Sequence, residues 1–148
     1  MRRTSFDTMR CPIARSLDVL GDPWTLLVVR ESFFGATRFE DFRRTLGIPR
    51  ATLSARLSTL VEHGVLERDV DPDTPNRPRY RLTPKGRDLG PVMVSLLQWG
   101  DRWSGLDDRP VTLLDLDAGE PIDPVYVDRR SGAPLQDLRI GRRINPAP

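Results

Sequence analysis

The stretch Arg38-Phe39-Glu40-Asp41-Phe42-Arg43-Arg44-Thr45-Leu46-Gly47-Ile48-Pro49-Arg50-Ala51-Thr52-Leu53-Ser54-Ala55-Arg56-Leu57-Ser58-Thr59-Leu60-Val61-Glu62-His63-Gly64 decides the fold. Phe39, Phe42 and Leu46 fall on one face of a helix, with Glu40, Arg43 and Arg44 on the other. Gly47-Ile48-Pro49 is a tight connection. Arg50 to His63 then read as a second helix, closed by Gly64. Its buried stripe is Leu53, Leu57, Leu60 and Val61, at the i, i+4, i+7, i+8 spacing of an amphipathic helix. Two short helices joined by so short a turn form a helix-turn-helix.

Upstream, two more helices are expected. Ile13, Leu17 and Leu20 repeat at helical spacing between Pro12, suited to a first helical position, and Gly21, suited to a stop. Asp22-Pro23-Trp24 reads as N-cap, N1 and N2 of the next helix. Its body from Thr25 to Phe34 is apolar on most sides and ends at Gly35, which makes it the central buried helix. Downstream the period changes. Val65 to Val70 reads as a strand, 71–78 as a loop with three prolines, and Arg79 to Thr83 as a returning strand. Thr83-Pro84 opens a last long helix carrying Leu89, Val92, Met93, Leu96, Leu97, Trp99 and Trp103.

The expected fold is mainly α with a small β-hairpin wing, a winged helix-turn-helix, plus a short β-rich C-terminal extension. Residues 1–104 form the helical domain and 105–148 the extension. The extension holds six prolines, with strands expected over Val111 to Leu116, Val125 to Val127 and Leu138 to Ile140. Turns are expected at Asp117-Ala118-Gly119 and Arg129-Arg130-Ser131-Gly132. It is too short for a core of its own.

Composition narrows the chemistry. The chain has 148 residues, enough for one domain with an appendage. No apolar run is long enough to span a membrane. The basic start Met1-Arg2-Arg3-Thr4 lacks the apolar stretch of a secretory signal. One cysteine, Cys11, and one histidine, His63, leave no cysteine- or histidine-cluster metal site within a chain and no disulfide framework. No cofactor motif and no paired acid and nucleophile stand out, so a non-enzymatic, cytoplasmic protein is expected. The net charge of +2 hides an asymmetry: 17 Lys+Arg against 13 Asp+Glu in 1–104, and 6 against 8 in 105–148. Twenty-two of the 23 basic residues are arginine. A GC-rich genome alone produces such a bias, yet arginine's planar fork also suits phosphates and guanine edges.

The order of elements suggests double-stranded DNA as partner. A helix of about 21 Å fits the major groove, where its N-terminal residues reach base edges. Opposite the leucine stripe lie Ala51, Thr52, Ala55, Ser58 and Thr59, small enough for close approach. Arg50 and Arg56 flank that face. Arg77, Arg79 and Arg81 on the hairpin are placed for phosphates or the minor groove. The expected DNA-contacting set is Arg50, Thr52, Ala55, Arg56, Thr59, Arg77 and Arg79. Taken one by one, these features also suit a solvated helix and a solvated loop; the ordered set carries the reading. A winged-helix protein-interaction module with an incidental basic wing, and a ligand-binding protein without DNA function, are the competing readings.

The chain also resembles the HxlR-type winged-helix regulators, beside the larger MarR group. The likeness runs through Cys11-Pro12-Ile13, Leu20-Gly21-Asp22-Pro23-Trp24-Thr25-Leu26-Leu27, Arg30-Glu31, Phe34-Gly35, Arg38-Phe39, Phe42-Arg43, Leu46-Gly47-Ile48, Leu53-Ser54-Ala55-Arg56-Leu57, Leu60, Gly64-Val65-Leu66 and Tyr80-Arg81-Leu82-Thr83-Pro84-Lys85-Gly86, covering about residues 9–104. The resemblance implies a bacterial homodimeric transcription regulator with its fourth helix in the major groove of a near-palindromic operator. It implies a dimer built by the first and last helices, here through Leu17, Leu20, Leu96, Trp99 and Trp103. Pro49 departs from the family, many of whose members have a serine cap there. The extension resembles the small cysteine-based ribbon of some longer members, with Ala118, Asp128 and Ser131 at cysteine positions, so no zinc follows.

Cys11 stands at a helix start with Arg10 and Arg15 nearby, a setting that favours thiolate. In some family members that this chain resembles, the matching cysteine senses oxidants or electrophiles, which makes Cys11 the redox-sensing candidate. Its plain alternative is a small apolar residue at an interface. Trp24, Trp99 and Trp103 are candidate linings of a small-molecule pocket, with core or dimer packing as the plain alternative; His63, at the end of its helix, suits a solvated or a capping role.

Overall fold

The computed structural model describes residues 5–70, 72, 74–106 and 108–146. The basic start at Met1 to Thr4 and the loop residues Asp71 and Asp73 lie outside the described residues. The chain forms two compact units, 1–97 and 98–148, and the division falls inside a helix.

In the first unit, α1 (Pro12–Leu20) is followed by α2 (Pro23–Phe33), α3 (Phe39–Leu46) and α4 (Arg50–Glu62). Local chemistry sets these boundaries. Asp22 caps α2 by accepting the Trp24 backbone N–H at 3.0 Å, which satisfies one of the orphan donors at the helix start. Asp41 accepts the Arg38 N–H at 3.2 Å from within the first turn of α3. Gly47 ends α3 in the left-handed region at φ 63°, a conformation that lets the chain turn at once into α4. Pro49 opens α4 without a side-chain cap.

The core is where α2, α3 and α4 meet. Val28, Val29, Phe42, Leu53 and Leu60 have no exposed surface, and Ile48, Leu57, Val65 and Leu66 are almost as enclosed. Each fully buried aliphatic or aromatic side chain contributes about 1.5–3 kcal/mol, so this cluster holds the helices in place. Trp24, Phe33, Phe39, Leu89 and Met93 pack around it. The central position of α2 agrees with its apolar sequence: it packs against α1, α3, α4 and the hairpin.

The wing pairs β1 (Leu66–Asp69) with β2 (Arg79–Leu82) in antiparallel register, Leu66 opposite Leu82 and Asp69 opposite Arg79. It is anchored at its base. The Tyr80 N–H donates to the Thr37 carbonyl at 2.7 Å, and Arg79 bridges to Arg38, so β2 is stitched to the residues that open α3.

The last helix departs from expectation. It is two helices, α5 (Pro84–Arg87) and α6 (Gly90–Trp103). Pro91 has no N–H to give to the Arg87 carbonyl, and its ring clashes with that carbonyl in a continuous helix. Regular bonding resumes with Met93 N–H donating to the Leu89 carbonyl at 2.9 Å. Gly86 permits the tight seating of α5. A Cβ there would lie 2.1 Å from the Val65 carbonyl oxygen.

In the second unit the strands are shorter and differently placed than the alternation suggested. Val111 to Leu116 yields only β3 (Leu114–Asp115), paired with β4 (Glu120–Pro121). Val125 to Val127 contributes one bridge, Val127 to Pro134, and Leu138 to Ile140 is not a strand. A 3-10 turn at Leu135–Asp137 comes before it. Instead of long ladders, two similar turns organise the unit. Asp115 Oδ1 accepts the Asp117 N–H at 2.9 Å, and Asp128 Oδ2 accepts the Ser131 N–H at 2.9 Å and its hydroxyl at 2.6 Å. Gly119 and Gly132 close the two turns at φ 72° and 71°. The side-chain oxygens offer the backbone an alternative to sheet pairing. The Ser131 hydroxyl and N–H, with the Arg130 N–H, hold the Asp128 carboxyl below its ordinary value of 3.8.

Candidate nucleic-acid interface

Helix α4 presents two faces. Leu53, Leu57 and Leu60 are buried. Arg50, Ala51, Ser54, Ala55 and Ser58 are exposed, and Thr52 and Thr59 are half-buried at the margins. Apart from Arg50, the exposed face is paved with short side chains, which lets the helix backbone come close to a surface laid against it. Ser54 belongs to it although it does not figure in the expected set. The Thr59 hydroxyl donates to the Ala55 carbonyl at 3.0 Å, which turns it back on its own helix.

Arg50 is held at the head of α4. Its Nη1 lies 2.7 Å from Glu40 Oε1, and its guanidinium sits 5.0 Å above the Phe39 ring centroid. These contacts tie the start of α4 to the start of α3, where Pro49 offers no capping side chain.

Arg56 goes elsewhere. It points from α4 to the N-terminus of α2, with Nη1 3.1 Å from Asp22 Oδ2. Its Nε is buried with no protein partner. The expected flanking pair Arg50 and Arg56 is thus split, one at the open end of the helix and one drawn inward. The signal for this was present in Asp22, but a cap residue two helices away cannot be matched to Arg56 by spacing.

Arg77 and Arg79 are exposed on the wing, beside Arg81, which lies 3.7 Å from Asp69. Since β2 is anchored to Thr37, the wing and the helix-turn-helix are parts of one framework.

Of the remaining candidates, Cys11 is the half-buried N-cap residue of α1 and makes no side-chain cap bond. Arg15 nearby donates to the Asp7 carbonyl. Leu17, Leu96, Trp99 and Trp103 are exposed, the two tryptophans by 64% and 67%; Leu20 is half-buried. Trp24 packs on the core. His63 caps α4, with Nδ1 2.9 Å from the Thr59 carbonyl oxygen. Among the described residues no group of three His, Cys, Asp or Glu could hold a metal ion. No described helix is long and apolar enough to cross a membrane.

Comparison with known proteins agrees with this geometry. The family model for HxlR-like helix-turn-helix proteins matches residues 19–108. An uncharacterized HTH-type transcriptional regulator of Mycobacterium tuberculosis, Rv3095, is 41% identical over 137 residues, which is 92% of this chain and 84% of that protein. The crystal structure of PA1607, described as a proposed transcription factor, superposes with a TM-score of 0.82 at 40% identity, covering 95% of this chain and all of the other. The redox regulator HypR in its reduced form gives a TM-score of 0.60 at 30% identity over 64% of this chain and 95% of its own. PA1607 thus shares the extension as well as the winged helix. With the matched model spanning helix-turn-helix and wing together, the chain belongs to the HxlR-like helix-turn-helix family of transcriptional regulators.

Proposed function

We propose that this regulator works as a cytoplasmic, non-enzymatic homodimer that reads a near-palindromic operator through α4 and grips the flanking backbone through the wing. The observation that carries the reading is the short-side-chain face of α4, opposite its buried leucines, with wing arginines on the same framework. Thr52 and Ala55 face the bases, Arg50 and Thr59 stand at the two ends of that face, and Arg77 and Arg79 serve phosphates. Arg56 acts on DNA through the position of α4, because its guanidinium is engaged by Asp22.

Dimerisation through α1 and α6 is supported by the exposed Ile13, Leu17, Leu96, Trp99 and Trp103. Exposed apolar surface of this kind marks an interaction site. A two-fold dimer sets its reading helices about 34 Å apart, one turn of duplex. Likeness to the redox regulator HypR supports a thiol-reactive signal at Cys11, whose place at the start of α1 adjoins the proposed interface.

Footprinting on the DNA flanking its own gene tests the operator, and sedimentation tests the dimer. A monomer with full DNA affinity would refute the dimer. Operator affinity of the parent and Cys11→Ser, with and without diamide, tests the signal. Parent protein that releases DNA on oxidation, while Cys11→Ser does not, is the expected result.

A further inference from the structure

The turn between α3 and α4 borders a concavity of about 450 Å³ whose walls carry Glu40, Arg43, Arg44 and Arg50. Each of its cations already has an acidic neighbour. Glu40 Oε1 lies 2.7 Å from Arg50 Nη1 and its Oε2 lies 3.5 Å from Arg43 Nε. Arg44 pairs with Asp41 at 3.1 Å. Glu40 and Arg50 come from different helices, and their side chains are 60% and 64% exposed.

So exposed a pair contributes little to the stability of the fold. It is better explained by what it does to the charge. Three arginines around a concavity, one of them at the head of the helix that faces the groove, form a seat for a phosphate, and Arg43 and Arg50 can each offer it a charge-assisted fork. Glu40 sits among them and cancels one positive charge.

We propose that this concavity seats a backbone phosphate of duplex DNA on Arg43 and Arg50, and that Glu40 is the internal counter-ion which the phosphate displaces. The inference rests on the DNA-binding reading and adds a residue to it. The Phe39 ring, 5.0 Å from the Arg50 guanidinium, gives that cation a second contact besides Glu40. The carboxylate competes with phosphate for the same donors. It therefore weakens binding to any duplex, and once displaced it takes up a solution cation, which offsets one of the counter-ions that the DNA releases. Glu40→Gln keeps the shape of the side chain and removes the competing charge.

The test uses the full-length protein and a random-sequence duplex, titrated at several salt concentrations. Glu40→Gln should bind about three- to tenfold tighter at low salt, and its salt slope should steepen by about 0.9, because no displaced carboxylate then takes up a cation. In an Arg50→Gln background most of that gain should vanish. Glu62→Gln, an equal charge change at the exposed far end of α4, should give a much smaller gain. A Glu40→Gln gain no larger than that of Glu62→Gln, or one undiminished without Arg50, would overturn the proposal. So would a Glu40→Gln variant that unfolds at the assay temperature, because Glu40 would then be a structural residue. A parent protein that binds no duplex at all would overturn the DNA reading itself and this seat with it.

Discussion

Arg56 Nη1 lies 3.1 Å from Asp22 Oδ2, so α4 is tied to the cap of α2, the helix at the centre of the core. Asp22 serves twice, accepting the Trp24 N–H with one oxygen and forming an ion pair with the guanidinium through the other. The pair links the α2 N-terminus to the middle of α4.

Removing Arg56 should therefore act first on stability. With side chains 20% and 30% exposed, the pair is partly screened, and Arg56→Ala should cost about 1–2 kcal/mol in urea unfolding. Asp22→Ala should cost as much or more, because the cap is lost as well. The two changes should be non-additive in a double-mutant cycle. Unchanged unfolding of Arg56→Ala together with relaxed operator preference would instead assign Arg56 to the bases.

Gly86→Ala is expected to be severe. The new Cβ would meet the Val65 carbonyl oxygen at 2.1 Å and Leu82 Cδ2 at 3.0 Å. Backbone cannot yield as a side chain does, and Thr83 Oγ1 fixes the same junction by donating to the Gly64 carbonyl at 2.6 Å. A loss of about 2–4 kcal/mol follows from overpacking of this kind. Gly90→Ala is the control: its nearest neighbour is the Phe33 ring at 3.6 Å, so it should be neutral to within about 1 kcal/mol. Equal melting temperatures for the two variants would show that the α5 seat tolerates a methyl group.

Wing and groove helix should fail differently. Arg79→Ala should weaken operator and random DNA alike and shallow the salt slope by about 0.9. Thr52→Ala should leave the slope unchanged and cost selectivity, about 1–3 kcal/mol if the hydroxyl meets a base edge. Binding isotherms on both DNAs across a salt series separate these outcomes. Two mutants indistinguishable from the parent would reject the assigned faces.

Acid should loosen the second unit at a defined turn. The folded state holds the Asp128 carboxyl below its ordinary 3.8, chiefly through the Ser131 hydroxyl. A carboxyl depressed by folding stabilises above its unfolded value, and that contribution is lost as pH falls from 3.8 through the folded value. Amide exchange at Ser131, corrected for intrinsic rates, should accelerate over that interval, and Ser131→Ala should shift the Asp128 titration upward. An Asp128 carboxyl that titrates at 3.8 or above by NMR would remove the basis of this expectation.

Much of the first unit was legible in the residues themselves. Asp22-Pro23, Gly47 and Thr83-Pro84 mark helix ends through local capping and φ, and the leucines of α4 select its buried face at a fixed spacing. The extension was less legible. Its two turns fall where the residues place them, at Asp117–Gly119 and Arg129–Gly132, but its apolar residues alternate without a partner sheet, so only short pairings form. The expected single last helix is divided in two at Pro91, which has no N–H for the Arg87 carbonyl.

The sequence by itself determined the order of helix, turn, helix and wing, because each boundary depends on groups within a few residues of one another. Only the tertiary structure decided what the arginines do. Arg50 and Arg56 differ by six positions on one helix, yet one rests on Glu40 and Phe39 of α3 and the other on Asp22 at the head of α2. A guanidinium at the end of a long side chain takes whichever carboxylate packing brings within reach. That choice depends on how α2, α3 and α4 close around Phe42 and Leu53, a relation between distant residues that no local spacing records.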